Sequence, residues 1–190
     1  MKEKSKVLIL LSGGLDSTAL IDYYIRRNFS VFALFINYGQ IAYEYELKAV
    51  KEISSFYNIE AQFLNTGFKN YFQSGEIVGR NLLLLSLAFT YYAKAFGIIA
   101  LGIHSGTDYI DCTQDFVKNV QESFDMYTNG QTQIDVPFVN LNKGEIWKYC
   151  LDNKVPIEMT YSCEKGVIHG CGVCLSCKDK KSLYEFSKNY

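Results

Sequence analysis

The stretch Val7-Leu8-Ile9-Leu10-Leu11-Ser12-Gly13-Gly14-Leu15-Asp16-Ser17-Thr18 carries most of what this chain says about its architecture. Its first five residues form a short, continuous apolar run with β-branched Val7 and Ile9, the pattern of a strand buried on both faces of a parallel sheet. Beyond Thr18, apolar residues fall at Leu20, Ile21, Tyr24 and Ile25, one face of a helix. Residues 12–17 are therefore a strand-to-helix turn in which two glycines let the backbone fold tightly and approach a ligand. Two hydroxyls and the free N–H groups of a helix start converge there, an arrangement that binds phosphate oxygens. Asp16 would repel polyphosphate unless a metal ion stood between them, so the turn predicts a nucleotide site with Mg²⁺. The plain alternative is a small-residue turn that only closes a βα unit.

The kind of phosphate turn can be narrowed. No Gly-x-x-x-x-Gly-Lys-Ser/Thr occurs, which argues against a Walker-type NTPase, and no Gly-x-Gly-x-x-Gly follows the first strand, which argues against a dinucleotide-binding unit. Ser-Gly-Gly-x-Asp-Ser resembles the pyrophosphate loop of the N-type ATP pyrophosphatases, which split ATP into AMP and pyrophosphate to adenylate an oxygen. By that resemblance Ser12, Gly13, Gly14, Asp16, Ser17 and Thr18 cradle the leaving pyrophosphate. The nucleotide-binding set it implies runs from Leu11 through Leu15, Ala19, Leu20 and Ile21, with Asn37 and Gly102 from later strand ends.

At the other end of the chain Cys163, Cys171, Cys174 and Cys177 have the spacing Cys-x7-Cys-x2-Cys-x2-Cys. Four thiolates satisfy tetrahedral Zn²⁺ and leave no open position, so a structural zinc site is expected. Gly166, Gly170 and Gly172 permit the turns such a knuckle needs. An iron–sulfur cluster uses similar spacing, and His169 is a substitute ligand to weigh. A disulfide pair fits poorly, since nothing marks the chain as secreted.

Composition fits an enzyme of the reducing cytoplasm. At 190 residues the chain makes one unit of comfortable size, and a net charge of −1 offers no basic field for nucleic acid. The longest apolar stretch, residues 82–88, is interrupted by Ser86 and too short to span a bilayer. The basic start at residues 1–6 leads into the phosphate turn rather than a cleavable leader. Cys112 and Cys150 lie outside the metal set, as thiols tolerated in a reducing compartment.

Strand and helix patterns then alternate. Strands are expected at residues 31–36, 61–64, 98–103 and 134–138, and helices around residues 47–56, 81–96, 114–126 and 145–151. The leucine-rich helix from Asn81 is apolar on most faces and is expected to be deeply buried. Asn142 and Glu145 have a capping-box layout opening the last of these helices. The order predicts an α/β fold with a parallel sheet covered on both faces and ligands at the carboxyl ends of the strands. Residues 37–40 and His104-Ser105-Gly106 lie at those ends.

Several further segments match one family together: Asn37-Tyr38-Gly39-Gln40, Gly79-Arg80-Asn81, Asp108-Tyr109…Asp111-Cys112…Phe116, Leu141-Asn142-Lys143-Gly144-Glu145-Ile146 and Thr160-Tyr161-Ser162-Cys163. With both terminal motifs they make the chain resemble the QueC family, the 7-cyano-7-deazaguanine synthases. The resemblance implies a HUP (adenine nucleotide α-hydrolase-like) fold, with an ATP-pyrophosphatase domain over residues 1–160 and a zinc-binding element over 161–190. It implies ATP-dependent activation of 7-carboxy-7-deazaguanine, capture by ammonia, and a second activation to the nitrile, with Mg²⁺, structural zinc and a homodimer. Lys143 and Arg80 match its positions for cations facing the α-phosphate, with Asp16 as the metal-binding carboxylate. Arg80, Asn81, Tyr109, Asp111 and Phe116 fall to the substrate, Asp111 accepting from a guanine-like edge while Tyr109 or Phe116 stacks on the ring. The bland readings are a solvated helix-start lysine, a surface ion pair, a loop cap and core packing.

The chain departs from the family where substrate and dimer loops are expected. Val78 replaces the usual Pro before Gly79-Arg80-Asn81, the segment 66–77 is shortened, and the Pro and Arg around Asp111 are missing. These losses open a second reading, a QueC-like enzyme resembling those of type IV CBASS antiphage operons that joins a deazaguanine to the N-terminal amine of a protein.

Overall fold

The computed structural model describes residues 4–67 and 77–187. Five strands form one wholly parallel sheet in the order β3-β2-β1-β4-β5: β1 (Lys6–Leu10), β2 (Ser30–Asn37), β3 (Glu60–Asn65), β4 (Ile98–Ala100) and β5 (Gln133–Asp135). The strand order reverses direction at β1, so the crevice between the carboxyl ends of β1 and β4 is the place where such sheets bind ligands.

Alternation along the central strands builds two cores. Val7, Ile9 and Leu11 face α1 (Leu15–Arg26), α2 (Tyr43–Tyr57) and α5 (Lys143–Asp152), whereas Leu8 and Leu10 face α3 (Arg80–Tyr92) and α4 (Gln114–Thr128). Both sets are buried, which is why β1 is apolar at every position after Lys6. β3 is one of the two edge strands and has no fully buried residue along its length.

Three sequence expectations change. The strand expected at 98–103 stops at Ala100, because Leu101 N–H bonds to Asp135 and Ile103 N–H turns back onto Leu101 O. The strand expected at 134–138 stops at Asp135, where Pro137 lacks a ladder donor and Val139 N–H closes a turn onto Val136 O. The leucine-rich α3 is not buried on most faces: Asn81, Leu85 and Ala88 are, but Leu82 is 47% and Tyr91 63% exposed. It covers a sheet that is only three residues deep at β4 and β5, leaving its outer side uncovered.

A final helix, α6 (Leu175–Ser187), was not expected from the sequence. Its Tyr184 ring packs edge-on to Trp147 of α5 at 4.9 Å, and Lys180 Nζ donates to Thr160 O. The cysteine-rich loop before it is tied to the phosphate turn by Tyr161 N–H to Gly13 O, and to α2 by the stack of Tyr161 on Tyr45. No helix among the described residues is long and apolar enough to cross a membrane. The shortened segment 66–77 lies mostly outside the described residues.

Candidate active site

Residues 12–17 form the floor of the site. Gly13 adopts φ +79°, and a Cβ there would sit 3.0 Å from both Ala49 Cβ and the Glu46 carbonyl, so the turn needs glycine twice over. The hydroxyls brace it. Ser17 Oγ donates to Gly14 O, accepts from Ser12 N–H, and lies 3.1 Å from Ser12 Oγ, while Thr18 Oγ1 donates to Gly14 O at 2.7 Å. Gly14 caps α1 without a side-chain bond, leaving the helix-start N–H groups for a ligand. After β4 the chain passes so close that a Cβ on Gly102 would lie 2.9 Å from Ser17 N.

Above this floor Lys143 Nζ donates to Asp16 Oδ2 at 2.5 Å, with His104 Nε2 4.0 Å from the same oxygen. The capping box opening α5 places Lys143: Asn142 Oδ1 accepts from Glu145 N–H, and Asn142 N–H donates to Glu145 Oε2. His104 Nδ1 accepts from Gly106 N–H, which leaves the ring proton on Nε2, toward Asp16. Burial, partly opposed by Asp16, lowers the His104 pKa, so the ring is neutral. Asp16 Oδ1 is buried with no hydrogen-bond partner among the described residues. Such an orphaned carboxylate oxygen beside a phosphate turn fits a divalent cation.

A cavity of ≈ 320 Å³ extends from this point, the size of a small-ligand site. It is lined by Leu11, Ser12, Gly14, Leu15, Asp16 and Ser17 from the phosphate turn and its flanks, and by Tyr38, Gln40, Glu46, Arg80 and Asn81 from the turn after β2 and the starts of α2 and α3. Gly102, Tyr109 and Lys143 also reach it, as do Asp179 and Lys180 of α6. Burial lowers the Lys180 pKa. Cys112 lines the wall too, but burial raises its pKa and makes it a poor nucleophile.

The expected residues divide accordingly. Asp16 and Lys143 meet, whereas Arg80 hydrogen-bonds Tyr38 and lies near Glu46, at the far end. Ala19, Leu20 and Ile21 are fully buried in the core, and Gly13, Thr18 and Asn37 shape backbone without lining the cavity. Asn37 Oδ1 accepts from Gly39 N–H, setting the turn after β2. Asp111 does not line the cavity: its Oδ2 accepts Asn81 N–H at the start of α3, and Asn81 Nδ2 donates back to Asp111 O. Phe116 packs on the α3–α4 side of the sheet. Glu46, Asp179 and Lys180 escaped the sequence reading. Only the helical spacing of Leu175, Leu183 and Tyr184 hinted at the element carrying the last two.

The sulfurs of Cys163, Cys171, Cys174 and Cys177 lie within 4.8 Å of one another, and exposed His169 is outside the set. Cys171 N–H points at Cys163 Sγ and Cys174 N–H at Cys171 Sγ, both at 3.3 Å, as backbone donors do around bound thiolates. A Cβ on Gly170 would lie 3.2 Å from Cys177 Sγ. The four-cysteine set fits a metal ion.

Fold and site together define a HUP-type α/β fold with a phosphate turn at the carboxyl end of its first strand. Among solved structures the fold is similar to the NMN synthetase of Francisella tularensis (TM-score 0.55, 16% identity, covering 98% of this chain and 77% of that one). It is also similar to the NH3-dependent NAD synthetase of Campylobacter jejuni (TM-score 0.52, 20% identity, 84% and 68%). The family described as Queuosine biosynthesis protein QueC matches residues 6–78 and 72–188. A 7-cyano-7-deazaguanine synthase of Prochlorococcus marinus (strain MIT 9215) is 32% identical over 216 residues, covering 97% of this chain and 95% of the relative. 7-Cyano-7-deazaguanine synthase 1 of Desulfitobacterium hafniense is 30% identical over 205 residues (96% and 92%). The chain belongs to the QueC family.

Proposed function

We propose that this protein adenylates the carboxylate of 7-carboxy-7-deazaguanine with ATP and passes the acyl group to ammonia, forming 7-cyano-7-deazaguanine. The observation that carries the proposal is the meeting of Asp16, Lys143 and the residue 12–17 turn at one end of a ligand-sized cavity. A carboxylate oxygen of the substrate attacks the α-phosphorus, and the α–β bridging bond breaks with pyrophosphate leaving. The helix-start N–H groups of the turn receive that pyrophosphate, while Lys143 faces the charge that develops on the phosphates. Ammonia then attacks the acyl carbon and AMP departs, giving the amide. A second ATP activates the amide oxygen, and loss of AMP and a proton leaves the nitrile.

Asp16 would hold Mg²⁺ through its unpartnered Oδ1, and the ion supplies charge neutralisation on the leaving phosphates. The four cysteines would hold structural Zn²⁺. Sulfurs within 4.8 Å suit one shared ion better than a cluster, in which each thiolate binds a different iron. His104, whose pKa burial lowers, stands with Nε2 4.0 Å from Asp16 Oδ2. A homodimer belongs to this reading, and exposed Leu82, Tyr91, Met126 and Tyr127 on α3 and α4 offer apolar area for it. The reading places the enzyme in the cytoplasm, where its nucleotide substrate is found.

The test is product analysis with ATP, Mg²⁺, 7-carboxy-7-deazaguanine and ammonium. AMP, pyrophosphate and the nitrile are expected, and ADP with inorganic phosphate would overturn the reading. One observation favours a second acceptor, the N-terminal amine of a protein, as in antiphage conjugation. Val78 and Ile110, at the positions where the sequence departs from the family pattern, are 91% and 81% exposed. Amide without nitrile, together with mass added to a partner's N-terminus, would select that acceptor.

A further inference from the structure

The base end of the cavity has a carboxylate whose purpose the reaction scheme leaves open. Four carboxylates line the cavity among the described residues: Asp16, Glu46, Glu164 and Asp179. Asp16 serves Lys143, and Glu164 Oε1 accepts from both Ser176 N–H and Ser176 Oγ, fixing the start of α6. Asp179 sits near His104, at the phosphate end. Glu46, in the first turn of α2, sits beside Arg80 and Tyr38, with its backbone carbonyl against Gly13 of the phosphate turn.

Gln40 holds Glu46 in place. Its Oε1 accepts Tyr38 N–H, and its Nε2 donates to Ile36 O and to Glu46 Oε2. All of this amide's obvious bonds are thereby committed, and Gln40 itself is buried. The carboxyl group is thus held through Oε2, and Glu46 is among the residues that line the cavity. Apolar Leu10, Ile36 and Leu84 line the same region, a setting suited to the faces of a flat ring. Burial raises the Glu46 pKa even though Arg80 and Gln40 oppose it, so holding a carboxylate here is costly without a ligand.

We infer that Glu46 is the group that reads the 2-amino and N1–H edge of the deazaguanine, with Arg80 facing its 6-oxo group. The inference rests on the deazaguanine reading given above. A guanine-type edge offers two adjacent donors, which two carboxylate oxygens match, followed by an acceptor, which a guanidinium matches. The adenine of ATP offers a donor beside an acceptor, and a carboxylate satisfies only the first. Asp111, whose Oδ2 is engaged by Asn81 N–H outside the cavity lining, lacks this access.

The test is calorimetric binding to the full chain of three ligands: 7-carboxy-7-deazaguanine, its counterpart lacking the 2-amino group, and a non-hydrolysable ATP analogue with Mg²⁺. Glu46→Gln should weaken the deazaguanine by tenfold or more and leave the desamino counterpart nearly unchanged. The ATP analogue should bind the variant as it binds the wild type, which also shows that the variant is folded. Unchanged deazaguanine affinity, or an equal loss for both deazapurines, would overturn the inference while the adenylation reading stands. Loss confined to the ATP analogue would overturn it by assigning Glu46 to adenine. A wild-type protein that binds the ATP analogue but neither deazapurine would overturn both the inference and the reading beneath it.

Discussion

The two ends of the cavity are built in opposite ways. The phosphate end is mostly one continuous stretch, residues 12–17, whose hydroxyls and backbone bond among themselves. The base end is assembled from three places: the turn after β2, the start of α2 and the start of α3. Contiguity makes the first end a chemical constant of the fold, since its geometry follows from local backbone. The second end depends on how far α3 stands from β2, so loop changes can retune it without altering the phosphate turn.

The largest expected effect is at the phosphate end. Asp16→Asn removes the negative partner of Lys143 and the orphaned oxygen suited to Mg²⁺, and pyrophosphate release should fall about 10³-fold, roughly 4 kcal/mol of barrier. Its melting temperature should stay near that of wild type, because the ion pair is partly exposed. Turnover within tenfold of wild type would break the proposed role.

Gly102→Ala comes next. Its Cβ would meet Ser17 N at 2.9 Å and the Asp16 carbonyl carbon at 3.0 Å, and neither is a side chain that can swing away. The phosphate turn must shift, and misplacement of this order costs about 10²-fold in activity. Steady-state kinetics should show the loss in kcat and in the KM for ATP alike. Wild-type kinetics would mean that the close crossing of β4 and α1 is incidental.

Cys171→Ala should act mainly through stability. Removing one ligand lowers metal content and loosens the loop that Tyr161 ties to Gly13, so the melting temperature falls while kcat per folded molecule changes less than in the two preceding variants. Elemental analysis tests the identity of the ion: about one zinc per chain is expected, and iron with acid-labile sulfide would replace zinc by a cluster.

Much of the phosphate end was legible in the sequence for the reason that it folds locally. An apolar run, two glycines, three hydroxyls and a carboxylate within twelve residues leave few alternatives. The capping box at Asn142 and Glu145 was legible on the same ground, because both of its bonds span three residues. The four cysteines declared themselves by spacing. Burial was harder to read. The leucines of α3 look like a buried helix because composition reports apolarity but not how much sheet lies beneath it. α6 escaped because Leu175, Leu183 and Tyr184 are diluted by Lys178, Asp179, Lys180 and Lys181, and the helix is held by tertiary contacts to α5 and Thr160. Glu46 escaped because its meaning comes from Gln40 and Arg80, which no local pattern links to it. Asp111 drew attention through its motif, yet its Oδ2 accepts a helix-start N–H, a bond only the fold reveals.

The smallest effect is the one that separates the two ends most cleanly, and it is read without any ligand. Burial raises the Glu46 pKa, so the native protein holds that proton more tightly than the unfolded chain does. Stability from this group is therefore fully present below the unfolded carboxyl value, about 4.3, and is lost as pH rises through the native value. At neutral pH the native state carries the cost that burial places on this titrating carboxyl, which Glu46→Gln removes while keeping the shape of the side chain. The variant should melt slightly higher than wild type at pH 7, with the difference shrinking as pH falls toward 4. A functional group kept at the expense of stability behaves in this way. A variant that melts lower at pH 7 would instead mark Glu46 as a brace for Gln40, and would return the base end to the same self-supporting construction as the phosphate end.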